Sequence, residues 1–168
     1  MTIVNVIKPF GGNFPITSPF GERIDPKLGI KKMHNGVDFG CPEGTPIRSV
    51  LDGKIIVAGW ENDLDHSQGY GRRIWVESHY NNLVILIVYA HLSQIKKWTG
   101  EFAPESGIIG LSGTSGKSTG PHLHLGCRIR DTNTFLNFSF KDTPQTSIVI
   151  NGEITKPWSM VDEVKNAG

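Results

Sequence analysis

Six histidines are the residues through which this 168-residue chain could do chemistry: His34, His66, His79, His91, His122 and His124. Three contexts are suggestive, namely His34-Asn-Gly-Val-Asp38, Tyr89-Ala-His91-Leu92 and Pro121-His122-Leu-His124. On a strand, the imidazoles of a His-x-His pair share one face with Cα atoms about 7 Å apart, so His122 and His124 can reach one site. His34 and Asp38 would lie about 13 Å apart in a fully extended strand, too far to share an ion. The Asn35-Gly36 turn signal bends the chain, so that His34 enters from a loop, Asp38 begins a strand, and imidazole and carboxylate converge. Two histidines, one aspartate and an open fourth position form the donor set of a catalytic Zn²⁺ site, whose metal acidifies a water. A structural zinc would more often recruit cysteines in pairs, and Cys41 and Cys127 are far apart in the chain. No His-Glu-x-x-His helix is present, which leaves a histidine to do the proton work. Spacing alone does not say whether His122 or His124 is the ligand.

The elements that must hold these side chains read as short strands. Alternating or β-branched runs occur at 3–7, 46–50, 53–60, 72–77, 83–90, 122–129 and 147–150. Turn signals such as Pro42-Glu43-Gly44, Leu51-Asp52-Gly53 and Asn81-Asn82 separate them, which suits hairpins and meanders. The expected architecture is mostly β, antiparallel and a single domain, with a short C-terminal helix at 159–165. The polar segment 61–71 reads as a surface loop that walls a groove. Gly110-Leu-Ser-Gly-Thr-Ser-Gly-Lys-Ser118 suggests a phosphate-binding loop at first sight, but that motif needs a glycine where Leu111 stands, and a β-like run follows instead of a helix.

Composition narrows the classes further. Lys plus Arg is 17 against 16 for Asp plus Glu, so no charge excess argues for nucleic acid or an anionic membrane surface. At 38% hydrophobic and 20% charged the chain is an ordinary folded globule, and 20 glycines with 10 prolines disfavour a helical bundle. The longest apolar run, 83–90, is far short of the roughly 20 residues of a membrane span. Residues 1–10 show no secretory signal, so the expectation is export by another route or removal of a leader. Cys41 and Cys127 allow one disulfide or two buried free thiols.

Five motifs occur in order: Thr17-Ser-Pro-Phe-Gly-Glu-Arg23, His34-Asn-Gly-Val-Asp38, Pro42-Glu-Gly-Thr-Pro46, Tyr89-Ala-His-Leu-Ser93 and Gly113-Thr-Ser-Gly-Lys-Ser-Thr-Gly-Pro-His-Leu-His124. Over residues 16–130 the chain thereby resembles the lysostaphin/LytM-type zinc endopeptidases, peptidase family M23, and 151–161 is similar to that family's closing segment. The resemblance implies a compact antiparallel β domain with a groove over the metal, acting on a peptide bond in the stem or cross-bridge of bacterial peptidoglycan outside the cytoplasm. It implies zinc ligands at His34, Asp38 and His124, with His91 and His122 serving catalysis. Arg23 and Asn35 are further candidates, as holders of substrate carboxylates or carbonyls. A monomeric phage lytic or virion-associated enzyme is the favoured setting, with a fragment of a larger autolysin as the alternative. The rival is a LytM-type regulator that has lost activity and activates cell-wall amidases, although all five key positions are intact here. A zinc enzyme of the same groove type acting on a non-wall peptide is a third possibility. Three departures stand out. Leu125-Gly126 follows His124 where the family commonly continues to a Glu, so any supporting role of that Glu is absent or supplied elsewhere. Segments 61–71 and 101–107 also differ, and both are expected to shape the groove. His66 and His79 read as solvated residues without a catalytic part.

Overall fold

The computed structural model describes residues 2–25, 28–141, 148–150 and 153–155. Every regular element among them is a strand: β1 (Ile3–Val6), β2 (Ile16–Ser18), β3 (Gly21–Ile24), β4 (Lys31–His34), β5 (Gly36–Phe39), β6 (Pro46–Arg48), β7 (Gly53–Trp60) and β8 (Arg72–Tyr80) come first. β9 (Leu83–Ala90), β10 (Leu92–Ile95), β11 (Phe102–Ala103), β12 (Ile108–Ser112), β13 (Leu123–Ile129), β14 (Asn137–Phe140), β15 (Ile148–Ile150) and β16 (Glu153–Thr155) follow. The largest sheet has seven strands in the order β11-β7-β8-β9-β13-β5-β2, all antiparallel, and β10-β12-β6 form a second antiparallel sheet. β3 and β4 make a separate hairpin. The one departure from antiparallel pairing among the described strands is β1 with β14, which run parallel because the chain returns to its own beginning.

Alternation explains which face each strand buries. On β13, Leu123, Leu125 and Cys127 point into the core, leaving His124, Gly126 and Arg128 on the other face. On β5, Val37 and Phe39 point inward and Gly36 and Asp38 outward. β9 is apolar almost throughout because both its faces are covered, and Ile85, Ile87 and Tyr89 join the central cluster. Tyr89 is tolerated there because its hydroxyl accepts the Val50 N–H at 2.8 Å. Phe39 is gripped edge-on by Phe10 and Phe140, at 4.9 and 5.2 Å between ring centres, which fixes β5 beside Asp38.

The β7 and β9 ranges match the sequence expectation, while β1, β6 and β13 are shorter by one or two residues and β8 runs on to Tyr80. The Asn81-Asn82 turn closes the β8–β9 hairpin with Asn81 at φ 54°, as the turn signal anticipates. His34 ends a strand instead of lying in a loop, because β4 pairs with β3 through to the Gly21–His34 register. Asp38 sits inside β5, two residues past its start. The two cysteines are buried free thiols, so the disulfide alternative is set aside. The helix expected at 159–165 lies outside the described residues. No helix among the described residues is long and apolar enough to cross a membrane.

Candidate active site

Strand register brings the first two site residues together. His124 on β13 stands directly opposite Asp38 on β5, with both side chains on the face away from the core. Their neighbours in register, Gly126 and Gly36, carry no side chains, and this vacated strip receives the imidazole. A Cβ at Gly36 would lie 2.5 Å from the Leu125 carbonyl oxygen and 2.7 Å from the His124 ring, so only glycine fits there. His34 arrives from the end of β4, two residues before the start of β5, and its ring meets His124 edge-on at 5.2 Å. His124 Nδ1 is 2.9 Å from one Asp38 oxygen and His34 Nε2 is 3.4 Å from the other. One ligand atom from each of the three residues lies within 4.8 Å of the others.

This donor set fits a divalent cation such as zinc: two imidazole nitrogens and a carboxylate, aimed at one point from three strands. The tautomer of His34 agrees. Its Nδ1 lies 2.9 Å from the Pro19 carbonyl oxygen, which can only accept, so Nδ1 carries the proton and Nε2 offers its lone pair to the centre. Burial pushes the Asp38 carboxyl upward, but in the cation-free protein the hydrogen bonds from His124 and from His34, whose Nε2 then carries a second proton, outweigh it and hold the group well below the usual carboxylate range. His34 is raised in turn, chiefly by its bond to Asp38. The departure at Gly126 has a counterpart here, because His124 Nε2 is buried without a hydrogen-bond partner.

Two further imidazoles border the cluster. His122 lies just before β13 in an isolated bridge to Gly113, and His91 occupies the single residue between β9 and β10, with 4.7 Å between the two ring centres. Each gives its Nδ1 proton to a backbone carbonyl, His122 to Gly120 at 2.9 Å and His91 to Ser115 at 2.7 Å, which leaves Nε2 free. His122 Nε2 is 3.9 Å from Asp38. Burial lowers His91 to about 4, helped by the neighbouring histidines, so its ring is neutral and able to accept a proton at neutral pH. His91 has φ 63°, an uncommon backbone state for a residue with a side chain and one that clusters at functional sites.

All five residues line an open groove of about 1280 Å³. One wall is the 61–71 loop, as the sequence suggests, represented by Glu61, Ser67, Gly69 and Tyr70, and residues 116–119 continue the lining. Arg23 also lines the groove and donates to the Ser18 hydroxyl. Asn35 sits in the link between β4 and β5 with its carbonyl turned toward Gly126, outside the groove lining. His66 stacks on Trp60 at 3.6 Å, pinning the loop, while His79 is exposed on β8 away from the groove. Sequence reading missed Tyr70, which stacks on the His124 ring at 5.4 Å, and Ser115. Neither residue type announces such a role.

The model of peptidase family M23 matches residues 32–136, which contain all five site residues. The chain belongs to that family. Among similar proteins, the M23 domain is 40% identical over 114 residues to the DD-carboxypeptidase/endopeptidase Mpg of Neisseria meningitidis, covering 68% of this chain and 24% of that one. To lysostaphin of Staphylococcus simulans it is 40% identical over 116 residues, covering 68% of this chain and 22% of that one. A mutant catalytic domain of the prophage-encoded M23 protein EnpA from Enterococcus faecalis shares its fold with a TM-score of 0.64 and 30% identity, covering 78% of this chain and 93% of that domain. A zinc-containing peptidase from Vibrio cholerae matches with a TM-score of 0.64 and 33% identity, over 76% of this chain and 37% of that one. The chain spans about a quarter of the length of the curated relatives it matches.

Proposed function

We propose that this M23 domain is a zinc-dependent endopeptidase that hydrolyses peptide bonds in the stem peptides or cross-bridges of bacterial peptidoglycan, acting outside the cytoplasm. The observation that carries the reading is the convergence of His34, Asp38 and His124, flanked in the same groove by two imidazoles with free Nε2 atoms. The substrate class is supported by similarity to proteins named as endopeptidases, a peptidoglycan DD-endopeptidase of Vibrio cholerae among them.

His34 Nε2, His124 Nδ1 and an Asp38 oxygen would hold the ion. The chemistry it supplies when bound is that of a Lewis acid, which acidifies water and polarises an amide carbonyl. The groove positions the peptide, and Arg23 on its wall offers donors to substrate carbonyls or carboxylates. His91, neutral and with Nε2 bare, accepts the proton of the attacking water. His122, held by Gly120 and close to Asp38, acts in its doubly protonated form, whose Nε2–H donates to the developing negative charge on the carbonyl oxygen, and the proton His91 took from water is passed to the leaving amine.

Metal analysis tests the reading directly. The purified protein should carry one zinc per chain, and a chelator should abolish cleavage of wall peptides, with zinc restoring it. Undiminished cleavage by zinc-free protein would refute it. Release of wall fragments only when a separate amidase is added would favour the regulator.

A further inference from the structure

His91 is gripped at both ends by two different loops. Its backbone N–H donates to the Tyr70 carbonyl at 2.8 Å, at the end of the 61–71 loop. Its ring Nδ1 donates to the Ser115 carbonyl at 2.7 Å, in the loop between β12 and β13. These two loops are themselves fastened together. Gly116 N–H donates to the His66 carbonyl at 3.0 Å, Lys117 N–H to Gly69 at 2.8 Å, and Arg72 N–H to the Ser115 hydroxyl at 3.0 Å. That hydroxyl donates onward to the Leu92 carbonyl at 2.7 Å, bracing the residue after His91. At the centre of the contact Gly71 and Gly116 meet backbone to backbone, both in the left-handed region at φ 65° and 78°. A Cβ on Gly71 would lie 2.3 Å from the Gly116 nitrogen, and one on Gly116 would lie 2.3 Å from the Gly71 nitrogen.

From this arrangement we infer that the 61–71 loop and Ser115 are positioning elements for His91: latched through the Gly71–Gly116 contact, they hold its strained backbone and fix its ring as the Nδ1–H tautomer with Nε2 toward the groove. The physical need is clear. A residue with φ 63° holds that state only where its surroundings over-determine it, and two carbonyls from two loops latched to each other do so. A ring free to turn would present Nδ1 or a proton where the reaction needs a lone pair. The 61–71 loop is therefore part of the working site as well as a wall of the groove, and its backbone contributes what its side chains do not.

The inference rests on the peptidase reading only for its effect on turnover, so the test has a readout independent of activity. In metal-free protein with ¹⁵N-labelled histidine, the His91 signal, identified by its loss in His91→Asn, should show a protonated Nδ1 and a bare Nε2. Gly71→Ala and Gly116→Ala intrude on the contact from opposite sides, and each should convert that signal to a mixture of tautomers. Each should keep the parent's zinc stoichiometry. Turnover of wall peptides should fall by about 10²-fold in kcat, the scale of a small misplacement of a reacting group, with KM within about twofold. Ser115→Ala, which removes only the hydroxyl brace, should act in the same direction more weakly and serves if a glycine variant does not fold. A single unchanged tautomer in the variants overturns the inference, as does an unchanged kcat. A parent with a fixed tautomer and no turnover would sink the peptidase reading and leave the clamp standing.

Discussion

At the scale of single residues, the site divides into side chains whose ligand atoms converge on one point and side chains that face the same groove with a free nitrogen. Replacing His34, Asp38 or His124 by Ala should each empty the metal site. His91→Ala and His122→Ala should keep zinc and lose turnover by roughly 10²- to 10⁴-fold, the range for general acid–base groups. Zinc analysis beside kinetics checks this, and an empty site in His122→Ala with a full one in His124→Ala would reverse the assignment. His124 supplies a second prediction. With Nδ1 as ligand its proton resides on Nε2, which is buried without an acceptor. Gly126→Ser places a hydroxyl there, its new Cβ tight against the Asn35 carbonyl oxygen at 3.0 Å, Val88 Cγ1 at 3.2 Å and Nε2 at 3.4 Å. It should tighten zinc binding by about tenfold, the lower end for an outer partner of a metal-bound histidine. Competition against a chromophoric chelator reads the change, and equal or weaker affinity contradicts it. The histidines were legible in the sequence because their type and spacing carry chemistry. Tyr70 and Ser115 were not, because they act through a ring face and through carbonyls that every residue type possesses.

At the scale of elements, the site depends on the pairing of β5 with β13, where a one-residue slip would turn Asp38 or His124 into the core. Gly36 lets these strands pass over the imidazole. Gly36→Ala should cost about 1 to 3 kcal/mol, as overpacking does, and weaken zinc binding by displacing His124. Thermal unfolding with and without zinc measures both, and parent-like values would show that the close approach is not needed. Long apolar strands such as β9 were readable from pattern because burial on both faces writes a continuous apolar run. The β3–β4 hairpin escaped for the opposite reason. It is short and largely exposed, with Glu22, Arg23, Lys31 and Lys32 along it, so no core face imposes an alternation. Gly110 similarly interrupts the pattern of β12. The Asn35-Gly36 bend was visible, but that His34 lies within a strand follows from its pairing with Gly21, a partner outside the motif.

At the scale of the molecule, one apolar cluster runs from Val4 through Ile47, Ile74 and Leu125 to Phe138, without drawing on His34, Asp38 or His124. Removing zinc should therefore leave the β fold in place, with near-parent circular dichroism and a lower melting temperature. His91 makes one contribution to the pH dependence of that metal-free form, opposite in sign to that of His34, whose folded value is raised. The folded value of His91 is lowered to about 4, below its ordinary 6.5, so the unfolded chain binds more protons there between the two and this contribution to stability falls as pH drops through that window. His91→Asn should flatten the fall by up to about 3 kcal/mol. Denaturant titrations at pH 7 and pH 4 check it, and an equally steep fall in the variant would contradict the assignment. The central claim, hydrolysis of wall peptide bonds by the His34–Asp38–His124 centre, is most directly tested on purified cell walls incubated with zinc-loaded protein. We predict new free amino groups at peptide positions, no new sugar reducing ends, and neither change with Asp38→Ala. New reducing ends without free amines, or amines still released by Asp38→Ala, would contradict it.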